Sequence, residues 1–300
     1  MANYKKFDEY NKGQTTKRAK IPEEEFFRKI NIGEFIDKER QFRNQTFSKM
    51  SEDEIRESLR RTLTNNGDLS IIFNGAYFAK DTFFYRIREY RDDDPTLKIE
   101  SGFWNPPKDY VKKWGRFNRP EISMLYTSAQ NPGIAFEEMK HITEDKKFVL
   151  IAYKANKQIS TFSFGSIKYN HFTSENAISA AKLYQEFLLT ELTRDVQDGQ
   201  EYLYKISTII AELFSIQPTI NALVYPCVAR KDIHNTCFSG ENVKSLLEFQ
   251  WAIPMVKLGS YYNSNCIVES FSEIGEAIYR DKVIMIPKDY YEKYLPSSIK

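Results

Sequence analysis

The chain has 300 residues, of which 41% are apolar and 15% aromatic, and its formal net charge is +2. This composition excludes wholesale disorder, because the apolar residues suffice for a hydrophobic core. The near-neutral charge excludes nucleic-acid binding through the overall electrostatic field of the chain. Three cysteines are too few for a disulfide framework and fit a reducing compartment. The sequence contains neither an apolar run of the ~20 residues that a membrane span needs nor a signal-peptide core. We therefore expect a cytoplasmic protein that does not contact a membrane.

Residues 1–67 are predicted to form a charged tail followed by a helical region. Lysine and arginine are frequent in residues 1–20, which indicates a solvated tail; a weak phosphate-binding arm is the alternative. Ser51 and Glu54 have the spacing of a capping box, and Ile55, Leu59 and Leu63 form one apolar stripe of the helix that follows. Since the region has few apolar residues, we expect it to pack on the rest of the chain or on a partner.

Residues 68–300 are predicted to form the second and larger domain. The order of its elements is typical of an α+β fold with a mixed or mainly antiparallel sheet. Neither a βαβ dinucleotide-binding unit nor a Gly-rich phosphate loop is present. Pro132 suits the first turn of a helix. The predicted strands lie at 70–73, 82–87, 122–126, 148–153 and 222–228, and the predicted helices at 175–195 and 202–213.

Seven short segments in a fixed order resemble the signature of the RES-domain family. They are Phe84-Tyr85-Arg86, Asn105-Pro106-Pro107, Gly115-Arg116-Phe117-Asn118, Leu125-Tyr126-Thr127-Ser128, Ala135-Phe136-Glu137-Glu138, Val224-Tyr225-Pro226-Cys227 and Gly240-Glu241-Asn242-Val243. The family includes toxins of bacterial toxin–antitoxin pairs, its fold is similar to that of ADP-ribosyltransferases, and its characterised members consume NAD. The resemblance therefore implies an ADP-ribosyltransferase-like fold, NAD as substrate, and an antitoxin or regulatory protein as partner.

Glu138 is the candidate catalytic carboxylate. Cleavage of the nicotinamide–ribose bond of NAD releases neutral nicotinamide, so the leaving group needs no acid. One carboxylate that stabilises an oxocarbenium-like transition state can therefore suffice. The alternative role of Glu138 is that of an exposed carboxylate near a helix N-terminus. If the RES-domain signature is aligned with this sequence one residue earlier, the catalytic role passes to Glu137.

Arginines and aromatic residues of the same segments are candidates for binding NAD. Arg86 and Arg116 match the resemblance and suit bidentate contacts with a pyrophosphate, although either could be a structural ion-pair residue. Arg86 stands in an otherwise apolar strand, so we expect it to face a cleft, and we place it with the catalytic residues. Tyr126 and Tyr85 are candidates for stacking on a ring of NAD, against the alternative of ordinary core packing.

Cys227 departs from the family pattern, which has serine at this position. A thiol forms weaker hydrogen bonds than a hydroxyl, so activity would be retained in part or lost, depending on what the serine does. A nucleophilic role for Cys227 is a further alternative. Asn242 is a candidate for a hydrogen bond to a ribose, with the holding of a loop as the alternative. With three histidines and no paired cysteines, we expect no metal site.

The sequence thus predicts a bacterial toxin or defence effector that cleaves NAD by hydrolysis or phosphorolysis. Transfer of ADP-ribose to a protein is the first alternative, and an NAD- or nucleotide-binding protein weakened by the presence of Cys227 is the second. Nucleic-acid binding by the basic tail fits the neutral charge poorly. We expect Arg86, Arg116, Tyr126, Glu138 and Cys227 to converge on one cleft.

Overall fold

The chain folds around one large mixed β-sheet with helices packed on it. The computed structural model describes residues 23–65, 68–69, 75–137, 146–164, 167–214, 220–228 and 233–287. The strand predicted at 70–73 lies outside these residues. Among the described residues, no helix is both long and apolar enough to cross a membrane.

Within the part of the chain that the structure describes, ten strands form the main sheet, in the order β12-β11-β10-β6-β4-β5-β9-β8-β7-β3. All neighbours pair antiparallel except β7 and β8, which are parallel. The predicted α+β class with a mixed sheet is therefore confirmed. The strands are β3 (Gly75–Phe78), β4 (Phe83–Glu89), β5 (Met124–Ala129), β6 (Lys147–Ala155), β7 (Ile159–Ser163), β8 (Ala222–Pro226), β9 (His234–Ser239), β10 (Leu247–Leu258), β11 (Tyr261–Phe271) and β12 (Ala277–Pro287), and a separate pair is formed by β1 (Thr64–Asn65) and β2 (Asp68–Leu69).

The helices begin where the sequence provides caps. Asn31 accepts a hydrogen bond from the Glu34 amide at the start of α2, and Ser51 and Glu54 form the predicted capping box at the start of α3. The helix expected at Pro132 is also present. The helices are α1 (Glu23–Arg28), α2 (Ile32–Arg43), α3 (Glu52–Leu63), α4 (Pro132–Glu137), α5 (Glu175–Leu192), α6 (Tyr204–Phe214) and α7 (Val243–Leu246).

The N-terminal helices α1 to α3 share one hydrophobic core with α5 and α6. Phe27 packs against Tyr184 of α5, and Phe42 packs against Phe187 of the same helix. The predicted stripe of Ile55, Leu59 and Leu63 is buried in this core. Residues 23–63 therefore pack on the rest of the chain, which was one of the two expectations for this region.

The strand register assigns the candidate residues to two faces of the sheet, because cross-strand partners share a face and successive residues alternate. Tyr126 pairs with Cys237, which pairs with Leu223, and these side chains lie on the face covered by α5 and α6. We call this the helical face. Phe84 pairs with Tyr153, and both lie in the core of the opposite face. We call this the groove face.

Candidate functional site

The turn from Gly115 to Asn118 is held by the hydroxyl of Tyr126. Gly115 and Asn118 exchange two backbone hydrogen bonds across the turn, 3.0 and 3.4 Å long. The Tyr126 hydroxyl accepts a bond from the Phe117 amide (3.0 Å) and donates one to Asn118 Oδ1 (2.9 Å). A Cβ atom at position 115 would overlap the Asn118 side chain, so glycine permits this close approach. Burial raises the pKa of Tyr126 well above its ordinary value, which keeps the hydroxyl protonated.

Three aromatic rings of the signature segments meet beside this turn. The ring of Phe117 lies edge-on to that of Tyr225, with centroids 4.7 Å apart, and the Tyr126 ring lies 6.4 Å from Tyr225. Tyr225 is on β8 and Tyr126 on β5, and β9 lies between these strands. The fold therefore joins segments that are about a hundred residues apart in sequence. Tyr126 was predicted to stack on a ligand, but its described neighbours are rings of the protein.

The Arg116 guanidinium is bound to the C-terminal end of α5. It donates hydrogen bonds to the carbonyl oxygens of Leu192 and Arg194, the second at 3.3 Å. Its central carbon lies 5.3 Å from the centroid of the Tyr204 ring. Helix C-terminal carbonyls carry a partial negative charge, so this position favours a cation. These contacts of Arg116 are with carbonyl oxygens and a ring of the protein, not with the carboxylate of the ion pair that was the structural alternative.

Arg86 lies on the groove face, opposite the rings of Tyr126 and Tyr225. Tyr85 pairs with Ser128, so Tyr85 and Tyr126 share the helical face and Arg86 points the other way. The Arg86 guanidinium donates a hydrogen bond to the Trp104 carbonyl. Burial lowers the pKa of Arg86 below its ordinary value. The expectation that Arg86 and Tyr126 share one cleft is therefore not met, because Arg86 follows Tyr85 along β4 and successive residues of a strand point to opposite sides of the sheet.

A second contact between distant parts of the chain lies at the start of β5 and the end of β9. It joins the 105–107 segment, Ser123 and Gly240. The Asn105 side-chain amide donates to Ser123 Oγ at 2.6 Å, and Ser123 Oγ donates to the Pro106 carbonyl. The Gly240 amide donates to the Ser123 carbonyl at 2.9 Å. A Cβ atom at Gly240 would overlap Asn105, so glycine permits this close approach. Ser123 belongs to none of the seven segments, and its role depends on contacts that the sequence does not show.

The other predicted site residues occupy separate positions. The Tyr85 ring lies near Phe83 and Trp251, at 6.3 and 6.2 Å between centroids, and burial raises its pKa. Cys227 is fully buried just after β8, and its amide donates to the Ile233 carbonyl at 2.8 Å. Asn242 is exposed at the start of α7. Glu138 and the side chain of Glu137 lie outside the described residues, so the candidate carboxylate has no position here.

An ion-pair network beside the turn was not predicted. Arg119 binds both carboxylate oxygens of Glu212 on α6, at 2.7 and 2.9 Å, and also bonds to Glu52 on α3. Arg56 of α3 binds Glu212 Oε2 at 2.5 Å. Burial alone would raise the pKa of Glu212, but the hydrogen bonds from Arg119 and Arg56 outweigh it and lower that pKa. The network ties the N-terminal helices to the segment that follows the turn.

No protein-family model matches the chain, and a search of curated proteins finds no match to it. Among the described residues, no group of histidine, cysteine and carboxylate side chains could hold a metal ion.

Proposed function

We propose that this chain is a cytoplasmic enzyme with an ADP-ribosyltransferase-like fold that cleaves NAD at the nicotinamide–ribose bond. The observation that carries the proposal is that the RES-like segments, in family order along the sequence, also touch one another in space. Phe117, Tyr126 and Tyr225 form one contact, and Asn105 and Gly240 form another through Ser123.

The chemistry requires a carboxylate near the ribose and donors near the pyrophosphate. Glu138 supplies the carboxylate in this proposal. It stabilises the positive charge that develops on the ribose ring as neutral nicotinamide departs. Tyr126 acts by holding the Gly115–Asn118 turn, and Arg86 acts by holding the Trp104 carbonyl ahead of the Asn105-Pro106-Pro107 segment. Both are therefore positioning residues.

The acceptor of ADP-ribose distinguishes three versions of the reaction. Water or phosphate as acceptor makes the protein an NAD-depleting toxin or defence effector, which an antitoxin or regulatory protein would restrain. A protein side chain as acceptor makes it an ADP-ribosyltransferase. A nucleotide-binding protein without turnover is the rival from another class, and it rests on the presence of cysteine at position 227.

The test is release of free nicotinamide from NAD by the purified full-length chain. We expect release, and we expect Glu138→Gln to slow it by ~100-fold, the scale observed when one electrostatic stabiliser is lost. Glu137→Gln is the matched control, since it removes the same charge one residue earlier. Analysis of the ADP-ribose product with water, phosphate or cell protein present identifies the acceptor.

Two results would argue against the proposal. If Glu138→Gln releases nicotinamide as fast as the wild type, Glu138 has no part in the mechanism. If the wild type binds NAD but releases no nicotinamide with any of the acceptors, the binding-protein alternative holds.

A further inference from the structure

The strand β12 forms one edge of the sheet. It pairs with β11 on its inner side, and among the described residues no strand lies on its outer side. The backbone N–H and C=O groups of the outer side can therefore pair with a further strand, and proteins commonly protect such edges with charged residues. β12 carries three of these in its middle, Arg280, Asp281 and Lys282, whereas residues 283–287 contain none.

The uncharged end of β12 exposes apolar side chains. Val283 is 78% exposed and Met285 is 61% exposed. Their register through β11 and β10 places both on the groove face. Ile284 and Ile286 point to the helical face, where they pack against the core that contains Tyr262. An exposed apolar stretch on an edge strand is a surface that pairing with another strand would cover.

The charges of β12 restrict how a second copy of the strand could pair with it. In an antiparallel pair related by a two-fold axis, one residue lies opposite its own copy, and residues at equal distances from it face each other. An axis at Arg280 or at Lys282 sets two cations against each other. An axis at Asp281 sets two carboxylates against each other and Arg280 against Lys282. Like charges directly opposite destabilise a strand pair, so these three registers are unfavourable.

An axis at Ile284 pairs apolar residues with one another. Ile284 then faces its own copy, and Val283 faces Met285 on both sides of the axis. The overlap covers residues 281–287, and no two charged residues face each other in it. An axis one residue earlier, at Val283, sets all three charged residues opposite apolar ones and loses these contacts. The pattern of charged and apolar residues along β12 thus favours the axis at Ile284.

We propose that β12 pairs with β12 of a second copy of this chain, about a two-fold axis at Ile284, and joins the two sheets into one. The occupant is the chain's own copy, because residues 281–287 supply both sides of the contact. A contact of this length is small beside a standard interface of ~1,600 Å², so we expect a dissociation constant on the order of 10 µM. This inference does not depend on NAD cleavage.

Sedimentation velocity of the full-length chain from ~1 to ~200 µM, a range that brackets this constant, tests the inference. The mean mass should rise from the 35.3 kDa of one chain towards twice that value. Val283→Lys places a charge opposite Met285 of the second copy and should abolish the rise. Ile278→Lys is the matched control, because Ile278 is 49% exposed on the same strand but lies outside residues 281–287. It should form dimers as the wild type does.

Disulfide trapping measures the register. Ile284→Cys should give a covalent dimer on mild oxidation, because the two Cα atoms at the axis lie ~5 Å apart, a distance that a disulfide spans. Lys282→Cys should not, since position 282 of one copy lies ~13 Å from position 282 of the other in this register. The wild type is the control for the native cysteines.

Three results would overturn the inference. The first is a wild type that remains monomeric at every concentration, which would leave the edge to a segment of another protein. The second is an equal effect of Val283→Lys and Ile278→Lys on the dimer, which would place the contact elsewhere. The third is a failure of Ile284→Cys to cross-link more than Lys282→Cys does, which would exclude the register. Circular dichroism of each variant verifies that it is folded.

Discussion

Tyr126 shows how one hydroxyl can organise a segment of the signature. The Tyr126 hydroxyl accepts a hydrogen bond from the Phe117 amide and donates one to the Asn118 side chain. It therefore acts as both acceptor and donor within one turn. Without this hydroxyl, the Phe117 amide would lose its bonding partner in a half-buried position. A donor left unpaired in such a position costs more free energy than the net gain of a typical hydrogen bond.

Tyr126→Phe should therefore lower the free energy of unfolding by about 1–3 kcal/mol. Urea denaturation followed by circular dichroism measures the change. Tyr110→Phe is the matched control, because Tyr110 is 80% exposed, and its stability should equal that of the wild type. An unchanged denaturation midpoint for Tyr126→Phe would show that the hydroxyl does not hold the turn in solution.

At the scale of single residues, the sequence does not predict what the side chains of the RES-like segments contact. Arg116 and Arg86 both stand in signature segments, and both bind backbone carbonyl oxygens of distant residues. Which backbone carbonyl accepts a hydrogen bond cannot be predicted from the sequence, because every residue has a carbonyl group. Tyr126 likewise binds a backbone amide, that of Phe117, in addition to the side chain of Asn118.

At the scale of secondary-structure elements, the Arg119 network connects α3 and α6 to the chain beyond the turn. Arg119 binds Glu212 through two nitrogens and Glu52 through a third. The planar fork of arginine suits bidentate binding of a carboxylate, whereas lysine presents its three donors from a single nitrogen atom. Because Glu212 also binds Arg56, it is the common acceptor of two arginines from different parts of the chain.

Glu212→Gln should destabilise the fold in a pH-dependent manner. The pKa of Glu212 is lowered in the folded protein, so its contribution to stability is present above its ordinary value of 4.5 and is lost as the pH falls through the folded-state pKa. At pH 7 we expect the free energy of unfolding of the variant to be about 1.5 kcal/mol lower than that of the wild type. This difference should become smaller below about pH 4.5. Urea denaturation over a pH series measures this difference.

The control for Glu212→Gln is Glu57→Gln. Glu57 forms an exposed pair with Arg61 on the same helix, and such pairs contribute little. At pH 7, Glu57→Gln should lower the free energy of unfolding less than Glu212→Gln does. If the difference between Glu212→Gln and the wild type is the same at pH 7 and pH 4, the carboxylate charge does not stabilise the network.

The strands at β4, β5, β6 and β8 were predicted from the sequence, and β3, β7 and β9 were not. The capping box at Ser51 and the apolar run in β6 both depend on residues close together in the chain. Strands β10 to β12 were not predicted. Their faces mix buried and exposed positions, and β12 is an edge strand with mostly exposed residues. Their pairing, with its register shifts, determines these strands more than their composition does.

At the scale of the whole molecule, the N-terminal helices complete the core rather than form a separate module. Phe27 is fully buried, and its ring lies 5.9 Å from Phe172 and 5.7 Å from Tyr184. Composition predicted that residues 1–67 could not form their own core. The sequence alone could not show that α5 and α6 would cover them, since these helices follow more than a hundred residues later.

The shared core predicts that damage in the N-terminal helices will unfold the rest of the chain. Phe27→Ala should lower the free energy of unfolding by about 3–5 kcal/mol, because it leaves a cavity between α1 and α5. All three tryptophans (Trp104, Trp114 and Trp251) lie outside residues 23–63, so their fluorescence reports on the remainder of the molecule.

Urea denaturation of Phe27→Ala followed by tryptophan fluorescence and by far-ultraviolet circular dichroism tests this cooperativity. Both midpoints should fall together, since coincident transitions are the mark of one cooperative unit. Ile36→Ala, which truncates a 37% exposed side chain of α2, should shift both midpoints much less. If Phe27→Ala moves the circular dichroism transition and leaves the fluorescence midpoint unchanged, the helices of residues 23–63 unfold separately and do not share the core on which α5 and α6 depend.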